Sequence, residues 1–202
     1  MKYIITERQS RLLEEPEKVL RVPSLSYFNN DWEVLQKFLE NRGNPPYSIS
    51  GDLDLNGITI ESLGNLKRVA KNLYLYKTPI ESLGNLEYVG GYLHLYSTPI
   101  KSLGNLEYVG GTLNLTETPI ESLGNLEYVG RDLSLYGTPI KSLGNLKHVG
   151  GDLYLHETSI ESLGNLEYVG FDIYIEDTPL SETTSEDEIR SKVNVEGNIF
   201  YR

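Results

Sequence analysis

Three histidines, a set of tyrosines and three evenly spaced aspartates are the side chains of this sequence with chemistry to offer. His94 and His156 would serve as metal ligands or a proton relay only if the fold brought them together. Asp132, Asp152 and Asp172 recur at one spacing, and a column of carboxylates suits a cation or a basic partner. Tyr74, Tyr76, Tyr92, Tyr96, Tyr136, Tyr154 and Tyr174 suit binding, because tyrosine gives large contact area at low entropic cost. Catalysis finds no comparable support. No Ser-His-Asp set, phosphate loop or metal-spaced cluster can be picked out, and the glycines follow an internal repeat rather than a GxGxxG motif. With no cysteine, a disulfide framework and a thiolate metal site are excluded. The expectation is a non-enzymatic chain with no cofactor.

What positions these residues is a 20-residue repeat. With Gly51 as position 1, seven copies of GxLxLxxTPIxSLGNLxxVG begin at 51, 71, 91, 111, 131, 151 and 171. One such unit cannot bury its apolar face alone and must stack on its neighbours, which defines a solenoid. Positions 3 and 5 are apolar in every copy, the alternation of a short strand with one face buried. Positions 10, 13, 16 and 19 add Ile, Leu, Leu and Val, so six side chains per coil fill a narrow continuous core. The expected fold is a mainly β repeat solenoid with one parallel sheet, one short strand per coil, and small helical caps at both ends.

The constant polar positions read as turn chemistry. Thr at position 8 precedes Pro in most copies, which keeps the chain extended as it leaves the strand; its hydroxyl is expected to bond backbone groups of adjacent coils. Gly-Asn at positions 14 and 15 marks a turn, with Asn serving the opposite edge. The segment Leu93-His94-Leu95-Tyr96-Ser97-Thr98-Pro99-Ile100 resembles the LxLxxNxL strand segment of leucine-rich repeats, with Thr where that family has Asn. The short unit is also similar to the repeats of receptor L domains and of some bacterial and phage proteins. The resemblance implies binding through the exposed sheet face and implies no catalysis.

Positions 2, 4 and 6 point away from the core and are the columns that vary. Tyr74, Tyr76, Tyr92, His94 and Tyr96 fall together on coils two and three, and Tyr136, Tyr154, His156 and Tyr174 on coils five to seven, with a small polar coil between. Strand propensity alone accounts for aromatic residues here; variation against an unchanging core favours recognition. His94 and His156 then stand three strands apart, about 14 Å by strand spacing, too far to share a metal or proton. The Asp132, Asp152 and Asp172 column has three readings, namely solvated side chains with local turn bonds, a contact for a basic partner patch, or a Ca²⁺ site. Position 18 repeats Tyr88, Tyr108, Tyr128 and Tyr168, a uniformity that indicates packing, and position 11 alternates Glu and Lys.

The flanks read as covers for the open ends of the stack. Residues 1–50 form an N-terminal helical cap, 51–180 the seven-coil solenoid, and 181–202 a C-terminal cap of a short helix plus a final strand. Trp32, Leu35, Phe38 and Leu39 share one helical stripe, with Asp31 as N-cap and Gly43 as stop; a second helix is expected through Arg11 to Val19. Ser185 and Glu188 form a capping box. The opening MKYIITERQSRLL has no apolar run long enough for a signal peptide, and no segment is long enough to span a membrane, so a cytoplasmic location is expected. The net charge of −11 sits mainly in the repeats and disfavours nucleic acid. The function expected is recognition of a protein partner through the tyrosine-rich sheet face, with a phage or bacterial accessory protein acting on a host protein as its setting. An acidic mimic of nucleic acid and a self-associating structural protein are the alternatives.

Overall fold

In the computed structural model, which describes residues 19–201, the six apolar columns close into a single continuous core. Almost every residue at positions 3, 5, 10, 13, 16 and 19 is fully buried. The chain forms the mainly β solenoid of stacked 20-residue coils, with helices only near its ends. Same-column residues pair in parallel from coil to coil, as in Leu73 with Leu93 and Tyr74 with His94. Register is fixed because a one-residue slip would turn the Leu pair outward.

The sheet count differs from the expectation. Each coil carries two short strands, so there is an eight-stranded sheet from positions 3 and 4 and a nine-stranded sheet from positions 18 and 19. The second sheet uses the Tyr-Val pair that ends each repeat, from Tyr88–Val89 to Tyr168–Val169. It begins before the first full repeat, with Leu20–Val22 paired to Tyr47–Ile49.

Between the two sheets the chain turns at positions 20 and 1, and glycine is needed there for a steric reason. A Cβ on Gly130 would lie 2.2 Å from the Gly110 carbonyl oxygen, and one on Gly150 would lie 2.3 Å from that of Gly130. Adjacent coils touch backbone to backbone at this corner. Where position 1 does carry a side chain, at Lys71, Arg131 and Phe171, glycine occupies position 1 of the adjoining repeats, and Gly197 takes that place beyond Phe171.

On the far side, Gly64, Gly84, Gly104, Gly124, Gly144 and Gly164 adopt φ between 56 and 59°, which only glycine enters freely. The Ser82 hydroxyl accepts the Gly84 N–H at 3.0 Å, and Ser142 does the same for Gly144 at 3.1 Å. Asn side chains reach across coils as expected: Asn105 donates to the Gly84 carbonyl and Asn145 to that of Gly124, each at 3.2 Å. Thr at position 8 acts differently. In every copy but Thr138 its buried hydroxyl donates within its own coil, as Thr78 does to the Leu75 carbonyl at 2.8 Å and Thr118 to that of Leu115 at 2.7 Å. It therefore closes a turn rather than bridging coils.

At the N-terminal end the helix Trp32–Glu40 is capped by Asp31, which accepts the N–H groups of Glu33 and Val34 at 2.9 and 3.1 Å. Trp32, Leu35 and Leu39 are buried beneath it, while Phe38 packs edge-on against Phe28 at 5.0 Å. The helix expected through Arg11 to Val19 lies, Val19 apart, outside the described residues. At the other end, helices Pro179–Thr183 and Glu186–Lys192 cover the last coils, and Ser185 accepts the Glu188 N–H. Ile199–Phe200 adds the final strand beside Ile173–Tyr174. Arg190 donates to the carbonyls of Val195 and Gly197 at 3.0 and 2.9 Å, satisfying acceptors the last corner leaves exposed. Among the described residues no helix is long and apolar enough to cross a membrane.

Candidate functional site

The eight-stranded sheet presents positions 2, 4 and 6 on its outer face because positions 3 and 5 are locked into the core. Its eight strands make the face about 34 Å long at ordinary strand spacing. Position 7 then turns the chain away in the left-handed region, at φ 53° in Lys77, 54° in Ser97 and 56° in Glu117. These side chains border the face.

The residues of coils two and three come together as anticipated. The Tyr76 ring stacks on Tyr96 at 5.5 Å and on His94 at 5.7 Å. Lys77 Nζ lies 4.8 Å above the Tyr76 ring, a cation–π contact made by the chain's own cation. Burial holds the His94 imidazole below its usual pKa, so it is neutral at pH 7. Tyr92 is 41% exposed, and Tyr74 and Tyr92 stack on no other ring among the described residues. Between them and coil four lies an open hollow of about 320 Å³, lined by Tyr74, Tyr92, Leu93, His94, Thr112 and Asn114.

The second cluster is also assembled, but most of its groups are already engaged. Tyr154 stacks on Tyr174 and Tyr174 on Phe200, both at 4.8 Å with interplanar angles of 13 and 12°, so ring faces cover one another. The Tyr154 hydroxyl donates to Asp152 at 3.1 Å and that of Tyr174 to Asp172 at 3.4 Å. Burial first, and then the Asp152 carboxylate, push the Tyr154 phenol up to about 12. Tyr136 leans on His156 at 4.8 Å. Phe200 extends this ladder and was not among the anticipated residues, although the final strand that carries it was.

The aspartate column has a structural task. Asp132 accepts the Asp152 N–H at 3.0 Å, Asp152 that of Asp172 at 2.9 Å, and Asp172 that of Asn198 at 2.7 Å. Each carboxylate thus satisfies the backbone of the next coil, and the same bond recurs from Asp52 to Asn72 and from Asn72 to Tyr92. Among the described residues no group of three or more His, Asp or Glu side chains is placed to hold a metal ion.

On the nine-stranded sheet, Tyr88, Tyr108, Tyr128, His148 and Tyr168 form a near-parallel ring stack with centroids 4.6 to 4.9 Å apart. Arg68 caps it, its guanidinium 3.9 Å from the Tyr88 ring centre. His148 is a full member of this column, which reading the tyrosines alone had missed. It is 5% exposed, and burial lowers its pKa to about 4.

No protein-family model matches the chain, and no curated protein or solved structure matches it either. The site is therefore read from its own geometry.

Proposed function

We propose that this chain is a non-enzymatic protein-binding module of leucine-rich-repeat type, recognising its partner through the tyrosine-rich face of the eight-stranded sheet. The patch on coils two and three is the main anchor. One observation carries the choice: among the described residues no ring stacks on Tyr74 or Tyr92, which stand beside an uncharged hollow, whereas the rings of coils five to seven pack on one another and the Tyr154 and Tyr174 hydroxyls are taken up by Asp152 and Asp172. Exposed aromatic side chains around a concavity are the usual hot spots of interfaces. The second patch and the Asp132, Asp152 and Asp172 column then serve as a stiff, acidic flank that sets orientation and encounter rate.

A nucleic-acid mimic would carry unpaired negative charge along its ridges. Here Lys67 pairs with Glu87, Lys147 with Glu127 at 3.2 Å and Lys141 with Glu161 at 3.1 Å, which counts against that reading. A phage or bacterial accessory protein directed at a host protein is the setting we favour. The test is capture on immobilised chain, comparing wild type with Tyr74→Ala/Tyr76→Ala/Tyr96→Ala. The proposal expects one protein retained by wild type and lost from the variant. Retention by both, abolished by moderate salt, would instead support the acidic mimic.

A further inference from the structure

The hollow on coils two to four is more selective than a general sticky face. Its walls are rings and its rim is polar but uncharged: among the described residues no Lys, Arg, Asp or Glu lines it. A charged side chain would lose solvation there without gaining a counter-charge. The Tyr92 ring lies over Gly111, where a Cβ would approach its Cδ1 to 2.9 Å. Glycine in the next coil thus leaves room for the Tyr92 ring, which lines the hollow.

The polar groups at the rim are few and specific. The Asn114 side-chain oxygen is used by the Thr116 N–H at 3.0 Å, which orients the amide and leaves its NH₂ as a donor. The Thr112 hydroxyl donates to Asp132 at 3.4 Å, so it has lone pairs to offer but no spare proton. His94, neutral, adds one donor and one acceptor nitrogen. A mainly apolar, ring-walled hollow whose one backbone-anchored amide offers a donor matches a flat apolar ring bearing one hydroxyl. It matches a sugar less well, since each sugar hydroxyl needs its own partner.

We propose that this hollow seats one aromatic side chain of the protein partner, a tyrosine, with its ring against Tyr92 and its hydroxyl on the Asn114 amide. This rests on the protein-binding reading above and names the anchor that reading requires. The bland use of the same residues, packing between coils, leaves the Asn114 NH₂ without a task. Aromatic pairs of this kind and one neutral hydrogen bond together suit a weak single-residue contact that gains strength within a larger interface.

The test uses the full chain, isotope-labelled for NMR, titrated separately with N-acetyl-tyrosinamide, N-acetyl-phenylalaninamide, N-acetyl-leucinamide and methyl glucoside. The inference expects saturable shifts confined to Tyr74, Tyr92, His94 and Asn114. Tyrosinamide should bind roughly two- to tenfold more tightly than phenylalaninamide, and the glucoside should have no effect. Asn114→Ser, a residue this column already holds at Ser134, should abolish the tyrosine preference and keep phenylalaninamide binding. Tyr92→Thr, matching Thr112 in its own column, should weaken both amides about fivefold; unchanged amide spectra elsewhere report that each variant is folded. Shifts scattered over both sheets, a stronger response to the glucoside, or an unchanged tyrosine preference in Asn114→Ser overturns the inference. If a captured protein is lost in the triple alanine variant while tyrosinamide does not bind, the interface stands and this anchor alone falls.

Discussion

Replacing Gly130 by alanine tests the stacking geometry on which every other statement depends. The added Cβ meets the Gly110 carbonyl oxygen at 2.2 Å and its carbon at 2.8 Å. Both contacts are backbone, so no side chain can swing aside and the two coils must separate locally. Overpacking of this kind costs about 1–3 kcal/mol, and the rigid neighbour points to the upper half of that range. For a chain of this size each kcal/mol lowers Tm by about 2–4 °C, giving a fall of roughly 4–12 °C. Gly104→Ala is the control. It has φ 57° and nothing within 4 Å, so it bears only the left-handed penalty of about 1–2 kcal/mol. Urea and thermal unfolding followed by circular dichroism would read both. A Gly130→Ala variant within about 0.5 kcal/mol of wild type would refute the close corner.

Four further outcomes follow from particular contacts. Asp152→Ala removes the acceptor for the Asp172 N–H and the Tyr154 hydroxyl and should cost about 1–3 kcal/mol, while Asp152→Asn, which keeps an oxygen, should cost far less on the same urea titration. His148 has its folded pKa depressed to about 4, against about 6.5 when unfolded. The unfolded chain therefore binds the extra proton, so this residue leaves stability intact above the unfolded value and lowers it as pH falls from there toward the folded one, by up to about 1.4 kcal/mol per pH unit. His148→Tyr should flatten stability against pH in that window, and an unchanged slope would contradict the burial argument. Glu157→Gly, at φ 57°, should stabilise the chain by about 0.5–1 kcal/mol, because Gly57 and Gly137 already fill this column without strain. Lys141→Met breaks an exposed ion pair with Glu161 and should change stability by no more than about 1 kcal/mol.

The apolar columns were legible because stacking imposes one period on every coil, and the burial of Leu53, Ile60, Leu63 and Val69 follows from it directly. Both ring clusters were legible for the same reason, since residues that share a column must lie one strand apart. The second sheet was not: its strands are only two residues long, and the alternation that marks a strand needs more length to be seen. Thr78 closing its own coil, and Asp152 bonding the backbone of the next, depend on hydroxyl and carboxylate directions that spacing does not encode. His148 and Arg68 were legible in principle, because both fall in the position-18 column when it is followed through every coil. The difference between an open first patch and a self-satisfied second one arises from ring faces and phenol partners, which are set by three-dimensional packing and not by spacing along the chain.

The central claim, that the outer face of the eight-stranded sheet binds a protein partner mainly through coils two and three, is tested most directly by one affinity comparison. The dissociation constant of the captured partner is measured for wild type, for Tyr74→Ala/Tyr76→Ala/Tyr96→Ala, and for Glu61→Gln/Glu81→Gln/Glu121→Gln on the opposite ridge, each checked for unchanged thermal stability. The account predicts a loss of about 100-fold or more for the tyrosine variant and little change for the charge variant. Tyrosine removal that leaves affinity within about threefold, with charge removal weakening it strongly, would contradict the account.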